Sequence, residues 1–442
     1  MTMKVVVYGV GGNFNRNYEW LANNYEIVAL VDGNADRQGI LIKNFQVLSM
    51  EQCEVLEYDK IIITPNWYKP IKKALLDYGI PGERILVLSE EMKIGKDDRG
   101  RTVKVLMKMD GGMGDQLISL NYGYYFKEKY GSVNMDLDVV CGRGRELTEA
   151  VVGKQEWFCF VDKEEAKEEK YDLILKVGRY PEVLQADMHH IARCIPDLID
   201  YIFLCQKFQA FYPEYFDEEF IADGSSALWE NTRGKKRVQQ PDIYEHLDVT
   251  EDYKIPIATD AKLLRKYQLE ENKYITIHRG CEQQHYSDDA VKLWDMDCYR
   301  RLVELLKEKY PQIPIVAIGA EYEQLQDVAC DRDCVGKTNT DELKTLLKYS
   351  RVHIDTEGGL VHLRKALRGG VSVVLFGATS ELFFGYSTNI NIRTNACPYP
   401  CEWVTSDWQK ECLRETEKKI CMQSITPEMV MEYVEKYIEG TI

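Results

Sequence analysis

The sequence predicts an α/β protein built of parallel sheets, and three observations carry that expectation. Short apolar strands alternate with helices along most of the chain, the order that parallel pairing requires. Glycine-bearing turns follow strands near residues 9–12, 111–114 and 355–359, and such turns place helix N-termini and free backbone N–H groups at a sheet's carboxyl edge. The chain has 442 residues, more than one core usually holds, so two or three domains are expected.

Residues 1–94 form the first domain, with strands at 4–8, 26–31, 60–64 and 85–88 and helices at 15–23 and 68–78. Its first turn reads Gly9-Val10-Gly11-Gly12-Asn13-Phe14. That supplies two glycines of a dinucleotide fingerprint, but Phe14 stands where the third should allow close helix–strand packing. Asp32 ends the second strand, near the usual place of a ribose-binding acid. Gly9, Gly11, Gly12 and Asp32 therefore make an incomplete nucleotide site, and NAD(P) is not expected there. The charged run KIGKDDRGR (93–101) reads as a linker, which is set at 95–102.

Residues 103–260 open with a strand at 103–109 that runs into Asp110-Gly111-Gly112-Met113-Gly114-Asp115-Gln116 and a helix at 117–130. Three glycines in four positions let a backbone pass close to a ligand. Asp115 falls at the start of the helix, where a carboxylate both suits the helix dipole and faces a cleft. Strands at 138–140, 158–161 and 171–176 follow, then one helix at 188–203, and aromatic, acidic residues 205–260 form helices and a long connection.

Residues 261–442 begin with a strand at 273–278, then a helix at 297–310, a strand at 313–318 and a helix at 340–349. The stretch YSRVHIDTEGGLVHLRKALRGGVSVVLF comes next: strand 352–354, turn 355–359, helix 360–367 and strand 371–376. Its turn favours a phosphate, because orphan N–H donors and the helix dipole act together. Two strand–helix domains in tandem describe two facing Rossmann-like halves with a cleft between them.

The net charge is −16, which speaks against nucleic acid as a partner. No run reaches the roughly 18 apolar residues of a membrane span. A cytoplasmic protein is expected, at most loosely associated with the inner face of the membrane. The thirteen cysteines are an odd number without an export signal, so reduced thiols are expected. Cys397, Cys401, Cys412 and Cys421 have the spacing of a metal site, and thiolates suit zinc or iron in a structural role. Trp403 and Trp408 are placed to pack around it, and an amphipathic helix at 426–437 ends the chain.

Residues of about 103–435 resemble glycosyltransferase family 9, the ADP-heptose heptosyltransferases and their relatives. GGMGDQL looks like that family's N-terminal glycine turn, YITIHRG with Lys292-Leu293-Trp294 like its strand and K-x-W segment, the stretch ending in His362 like its donor signature, and FGAT at 376–379 like its following turn. The resemblance implies the GT-B fold of two facing Rossmann-like domains, here preceded by a small Rossmann-like domain. It implies inverting, metal-independent transfer of a sugar, a heptose among the candidates, from a nucleotide-diphosphate sugar to a glycan, glycolipid or protein. Asp115 is then the general base, and Gly111, Gly112 and Gly114 form its loop. Lys292, Arg279, Thr356, Glu357, Gly358, Gly359, His362 and Thr379 line the donor side. The family usually reads D-T-G-x-x-H; anchoring on His362 puts Glu357 and Gly358 where Asp and Thr stand, which leaves the donor sugar open.

The tail resembles the four-cysteine finger with which autotransporter heptosyltransferases hold iron, though the spacing differs. Residues 1–94 resemble an accessory domain of bacterial polysaccharide-biosynthesis enzymes (VDGNADRQG, IIITPNWY and YGIPGERIL carry the likeness), through which the chain would form oligomers or join a biosynthetic complex. Two other readings compete: an NAD(P)-dependent sugar-nucleotide oxidoreductase built on residues 1–94, and a non-catalytic sugar-nucleotide binding protein. The missing third glycine weighs against the first.

Overall fold

The computed structural model describes residues 3–88 and 102–441, apart from 54, 66–67, 132–133, 217–220, 282, 284–285, 288–289, 326, 398, 406–407, 410–411 and 415–418, and the side chains of 16 and 221–223. The chain divides into two compact units, Met1–Val103 with Asp187–Ile199, and Lys104–Ala186 with Asp200–Ile442. The expected linker at 95–102 lies, except for Thr102, outside the described residues.

The first unit carries β1 (Lys4–Tyr8), α1 (Gly12–Asn24), β2 (Glu26–Val31), β3 (Leu41–Ile42), β4 (Phe45–Leu48), β5 (Lys60–Ile63), α2 (Tyr68–Asp77) and β6 (Ile85–Val87). Its sheet runs β3-β4-β2-β1-β5-β6, parallel except for the β3–β4 hairpin. Val5 and Val7 pack on one face with Phe14 and Leu21, while Val6 joins Ile61, Ile63 and Leu75 on the other. A strand buried on both faces needs an unbroken apolar run, and VVV supplies it. The hairpin of β3 and β4 has no counterpart in the sequence reading, because strands of two and four residues leave too little periodicity to detect.

The second unit contains two sheets. The first is built from β7 (Val103–Met109), α3 (Met113–Tyr130), β8 (Met135–Cys141), α4 (Arg145–Val152), β9 (Cys159–Phe160), β10 (Leu173–Val177) and β11 (Pro181–Ala186), in the order β11-β10-β7-β8-β9. β11 is antiparallel to β10 and was not expected from the sequence. Two helices, α5 (Met188–Cys194), which belongs to the first unit, and α6 (Pro196–Phe211), replace the single one expected at 188–203. Pro196 has no N–H to give and forces Ile195 out of the helical region (φ −139°, ψ 73°). α7 (Ile221–Thr232) follows.

The second sheet is built from β12 (Ile275–Ile277), α8 (Met296–Lys309), β13 (Ile315–Ala317), β14 (Arg332–Asp333), α9 (Thr340–Tyr349), β15 (Val352–Thr356), α10 (Gly359–Ala366), β16 (Ser372–Leu375), α11 (Glu381–Phe384) and β17 (Ile390–Ile392), with α12 (Ile420–Gln423) and α13 (Pro427–Ile438) after it. All its pairings are parallel, in the order β14-β13-β12-β15-β16-β17. Ile275, Ile277, Val352 and Ile354 send their side chains into one apolar core with Trp294 and Val430. The alternate positions Thr276, His353 and Asp355 are buried and polar. Trp294 Nε1 donates to the Ile425 carbonyl at 2.8 Å, which ties the segment before α13 to this core.

α3 begins at the glycine turn itself, four residues before the apolar run. Gly111 takes φ +89°, and a Cβ there would lie 2.7 Å from Asp115 Cβ, so only glycine turns the chain into the helix this way. A Cβ on Gly114 would stand 2.8 Å from His362 Cδ2 and 3.4 Å from Gly359 Cα. The N-termini of α3 and α10 thus meet backbone to backbone across the two sheets of this unit. Gly114→Val should part them, lower the thermal midpoint by several degrees and cost about 1–3 kcal/mol. An unchanged unfolding curve would contradict that packing.

Candidate active site

Both glycine turns open at the carboxyl edges of their sheets, and the polar face of the second sheet supplies the groups between them. Asp115, in the first turn of α3, receives a hydrogen bond from Arg237 Nη2 at 2.9 Å, with Asp115 half exposed and Arg237 buried. Gly358 caps α10 with an extended backbone, and a Cβ there would meet nothing nearer than the Thr356 carbonyl at 3.8 Å. Gly112, at the head of α3, faces open space. Two helix N-termini, each with unpaired N–H groups, therefore stand side by side.

His362 lies in the first turn of α10, with Nδ1 2.6 Å from the Tyr386 hydroxyl. Tyr386 in turn meets the Tyr253 hydroxyl at 2.9 Å. Burial holds the His362 pKa below its ordinary value, so the ring is neutral at neutral pH. Lys292 and Glu357 form a largely buried ion pair at 2.7 Å, and Thr379 donates to the same Glu357 carboxylate at 3.2 Å. Burial opposes the charge on Lys292, but the Glu357 carboxylate outweighs it and the lysine pKa is raised. The Trp408 ring lies 5.3 Å from the ammonium.

Arg279 is turned inward: Nε donates to the Trp294 carbonyl at 3.1 Å and Nη1 to the Tyr286 hydroxyl at 2.8 Å. Thr356 is likewise buried, donating to the Gly280 carbonyl at 3.4 Å. Asp115, Gly114, Gly359 and His362 are brought together, as are Lys292, Glu357 and Thr379. In the first unit, Asp32 accepts from the Val10 N–H at 3.0 Å and pairs with Arg37 at 3.3 Å, so its carboxylate is satisfied by its own neighbours.

Sequence reasoning missed a network beneath this site. His278 sits between Asp355 (Nδ1 to Oδ1, 2.8 Å) and Glu323 (Nε2 to Oε2, 3.1 Å), and His353 Nε2 reaches the other Asp355 oxygen at 3.2 Å. Glu323 also accepts from the Ala320 N–H at 2.6 Å. Burial alone would pull the His278 pKa down, but Asp355 and then Glu323 outweigh it and raise it to about 10. Asp355, although buried, is held below the ordinary carboxylate value by His278. Arg237, Tyr253 and Tyr386 were missed as well, since only the fold brings them to Asp115 and His362.

Cys397, Cys401, Cys412 and Cys421 are free thiols. Burial raises the pKa of Cys401 and Cys421, and the other cysteines of the four add to it. Among the described residues, no group of three or more His, Cys, Asp or Glu is arranged to hold a metal ion. No helix among them is long and apolar enough to cross a membrane.

Two largely parallel sheets in one unit, each with a glycine turn at its carboxyl edge, have the architecture of a GT-B fold. Residues 237–416 match the family described as glycosyltransferase family 9 (heptosyltransferase). Residues 1–86 match a second family, C2185-like, N-terminal. Among curated proteins, none matches the chain. Among solved structures, the iron-containing dodecameric glycosyltransferase TibC from enterotoxigenic E. coli is similar at 14% identity, over 77% of this chain and 78% of that one, with a TM-score of 0.51. A glycosyltransferase family 9 protein from Veillonella parvula is similar at 12% identity, over 77% and 98%, also at 0.51. TibC in complex with ADP-D-beta-D-heptose aligns at 15% identity, over 77% and 78%, with 0.50. At these identities the likeness is one of fold.

The His278 network makes a prediction about pH. Its folded pKa lies above the ordinary 6.5, so the stability it adds is complete below that value and is lost as pH rises through about 10. The thermal midpoint should therefore fall between those limits more steeply in the wild type than in His278→Gln. Parallel pH curves for the two proteins would refute a charged His278.

Proposed function

We propose that this chain moves a glycosyl group, with inversion and without a catalytic metal, from a nucleotide-diphosphate sugar to a hydroxyl of a glycan, glycolipid or protein. The observation that carries the reading is the meeting of α3 and α10, which sets Asp115 of one half beside the donor-side turn of the other. Asp115 accepts the hydroxyl proton as the acceptor oxygen attacks the anomeric carbon. The bond from that carbon to the diphosphate breaks, and the diphosphate leaves with the electron pair. Lys292 and the N–H groups at Gly358 and Gly359 lie where that charge would be met.

Lys292 rests on Glu357 at 2.7 Å, so donor binding exchanges one anion for another without leaving a buried cation unpaired. Glu357 stands where the family's aspartate contacts the sugar. Its extra methylene and its tie to Lys292 and Thr379 support a donor pocket that differs from the family's usual one. Heptose stays among the candidates because TibC is described in complex with ADP-D-beta-D-heptose. The first unit, with Asp32 satisfied internally, serves as a docking module rather than an NAD(P) site.

The four tail cysteines hold structural zinc or iron in this reading. Its support is the soft donor set of four thiols within 25 residues. TibC is described as iron-containing. The metal would close the tail against the donor half and take no part in the transfer.

Asp115→Asn should lower sugar transfer by at least about a hundredfold while donor binding holds. A thermal-shift panel of ADP-, GDP- and UDP-sugars with NAD identifies the donor, and transfer by the variant at the wild-type rate sinks the base assignment. Protein purified without chelator should carry near one equivalent of zinc or iron by elemental analysis, and Cys401→Ser should lose it. Less than about half an equivalent in the wild type counts against the metal.

A further inference from the structure

Arg237 lies in the polar run KKRVQQ and has no motif to mark it. Its side chain is only 9% exposed, whereas that of its partner Asp115 is 48% exposed. Nη2 donates to Asp115 Oδ1 at 2.9 Å, and Nη1 has no hydrogen-bond partner among the described residues. A buried guanidinium with one carboxylate contact and an orphan nitrogen is a poor stabilising device, because desolvation exceeds what a single half-exposed partner returns. Packing alone gives no reason to keep a cation here.

The backbone that carries it is firmly held. Arg237 opens a short turn, Arg237–Gln239, closed by a hydrogen bond from the Lys236 N–H to Gln239 Oε1 at 3.2 Å. Lys236 Nζ donates to the Leu382 carbonyl at 2.9 Å, which fastens the turn to α11 of the donor side. The guanidinium thus grips Asp115 from a turn that is itself fastened to α11. It occupies Oδ1 and leaves Oδ2 without a hydrogen bond from any described residue.

We infer that Arg237 is a positioning residue for the transfer: it fixes the Asp115 carboxylate through Oδ1 so that Oδ2 faces the acceptor hydroxyl. The inference rests on Asp115 being the base. Arg is suited to this where Lys is not, since a planar guanidinium on a fixed backbone sets direction as well as charge. Misplacing a base by about 1 Å costs on the order of a hundredfold in rate.

The test measures nucleoside diphosphate release from whichever ADP-, GDP- or UDP-sugar the full-length protein turns over fastest. Arg237→Met should lower kcat by about tenfold or more while the donor KM stays within about twofold. Arg237→Lys should recover part of kcat and not all of it. Adding Arg237→Met to Asp115→Asn should cost nothing further, because the residue acts through that carboxylate. An equal loss in both backgrounds, or an unchanged kcat in Arg237→Met, overturns the inference. If Arg237→Met fails to fold, Arg237→Lys decides: reduced kcat at an unchanged thermal midpoint supports the role, and wild-type kcat refutes it. Full activity in Asp115→Asn alone refutes the base assignment instead, which separates the two failures.

Discussion

The second unit is organised by one steric fact, the approach of α3 to α10 at Gly114 and Gly359. Any side chain at Gly114 would strike the His362 ring, so the two helix N-termini can stand this close only because Gly114 lacks a Cβ. Each terminus carries unpaired N–H groups and the positive end of a helix dipole. Bringing two such ends together is unfavourable unless something negative lies between or beside them. Asp115 and Glu357 supply that charge from the protein, and Arg237 and Lys292 are their counter-ions. The proposed donor diphosphate adds negative charge to a place already arranged to receive it.

Beneath the cleft, the second sheet is divided by its own period of two. On one face Ile275, Ile277, Val352 and Ile354 make an ordinary apolar core. On the other, Thr276, His353 and Asp355 are buried polar groups that must find partners among themselves. They do so through His278 and Glu323, with Thr276 Oγ1 3.0 Å from His353 Nδ1. A protonated His278 between two carboxylates ties the ends of β12 and β15 to the loop after β13. The loops that would meet a nucleotide are therefore braced by charge from below rather than by apolar packing.

Most of the architecture was legible because the strands are short apolar runs and the helices carry strong ends. α9 begins and ends where the sequence places it, at 340–349, since Asn339 and Glu342 form a reciprocal cap that the sequence displays. The break at Pro196 was readable in principle and overlooked, because apolar residues continue across it. β11 was hidden by its mixed composition. At the candidate site, the sequence singles out residues that stand in motifs and gives no sign of those that meet only through folding. Asp115 and His362 announce themselves by their glycine turns, whereas Arg237 and Tyr386 are 122 and 24 residues away from the partners they touch. Arg279 shows the converse: a cation in a promising motif whose guanidinium is spent on Trp294 and Tyr286 inside the fold.

The cysteine tail and Lys292 share a wall. Trp408 lies against the Lys292 ammonium, and the same indole packs with Val291, Ala378, Cys401 and Cys412. Glu402, next to Cys401, accepts the Ser380 N–H at 2.9 Å, one residue beyond the Thr379 that holds Glu357. Cys421 comes up beneath Gly377, where a Cβ would lie 3.2 Å from its sulfur. Whatever fixes these four sulfurs therefore also fixes the turn at 377–380 and the ring over Lys292. A structural metal in the tail would act on transfer only through that wall, by holding the pocket around the lysine in shape. That distinguishes it from a catalytic metal, which would have to meet the diphosphate itself.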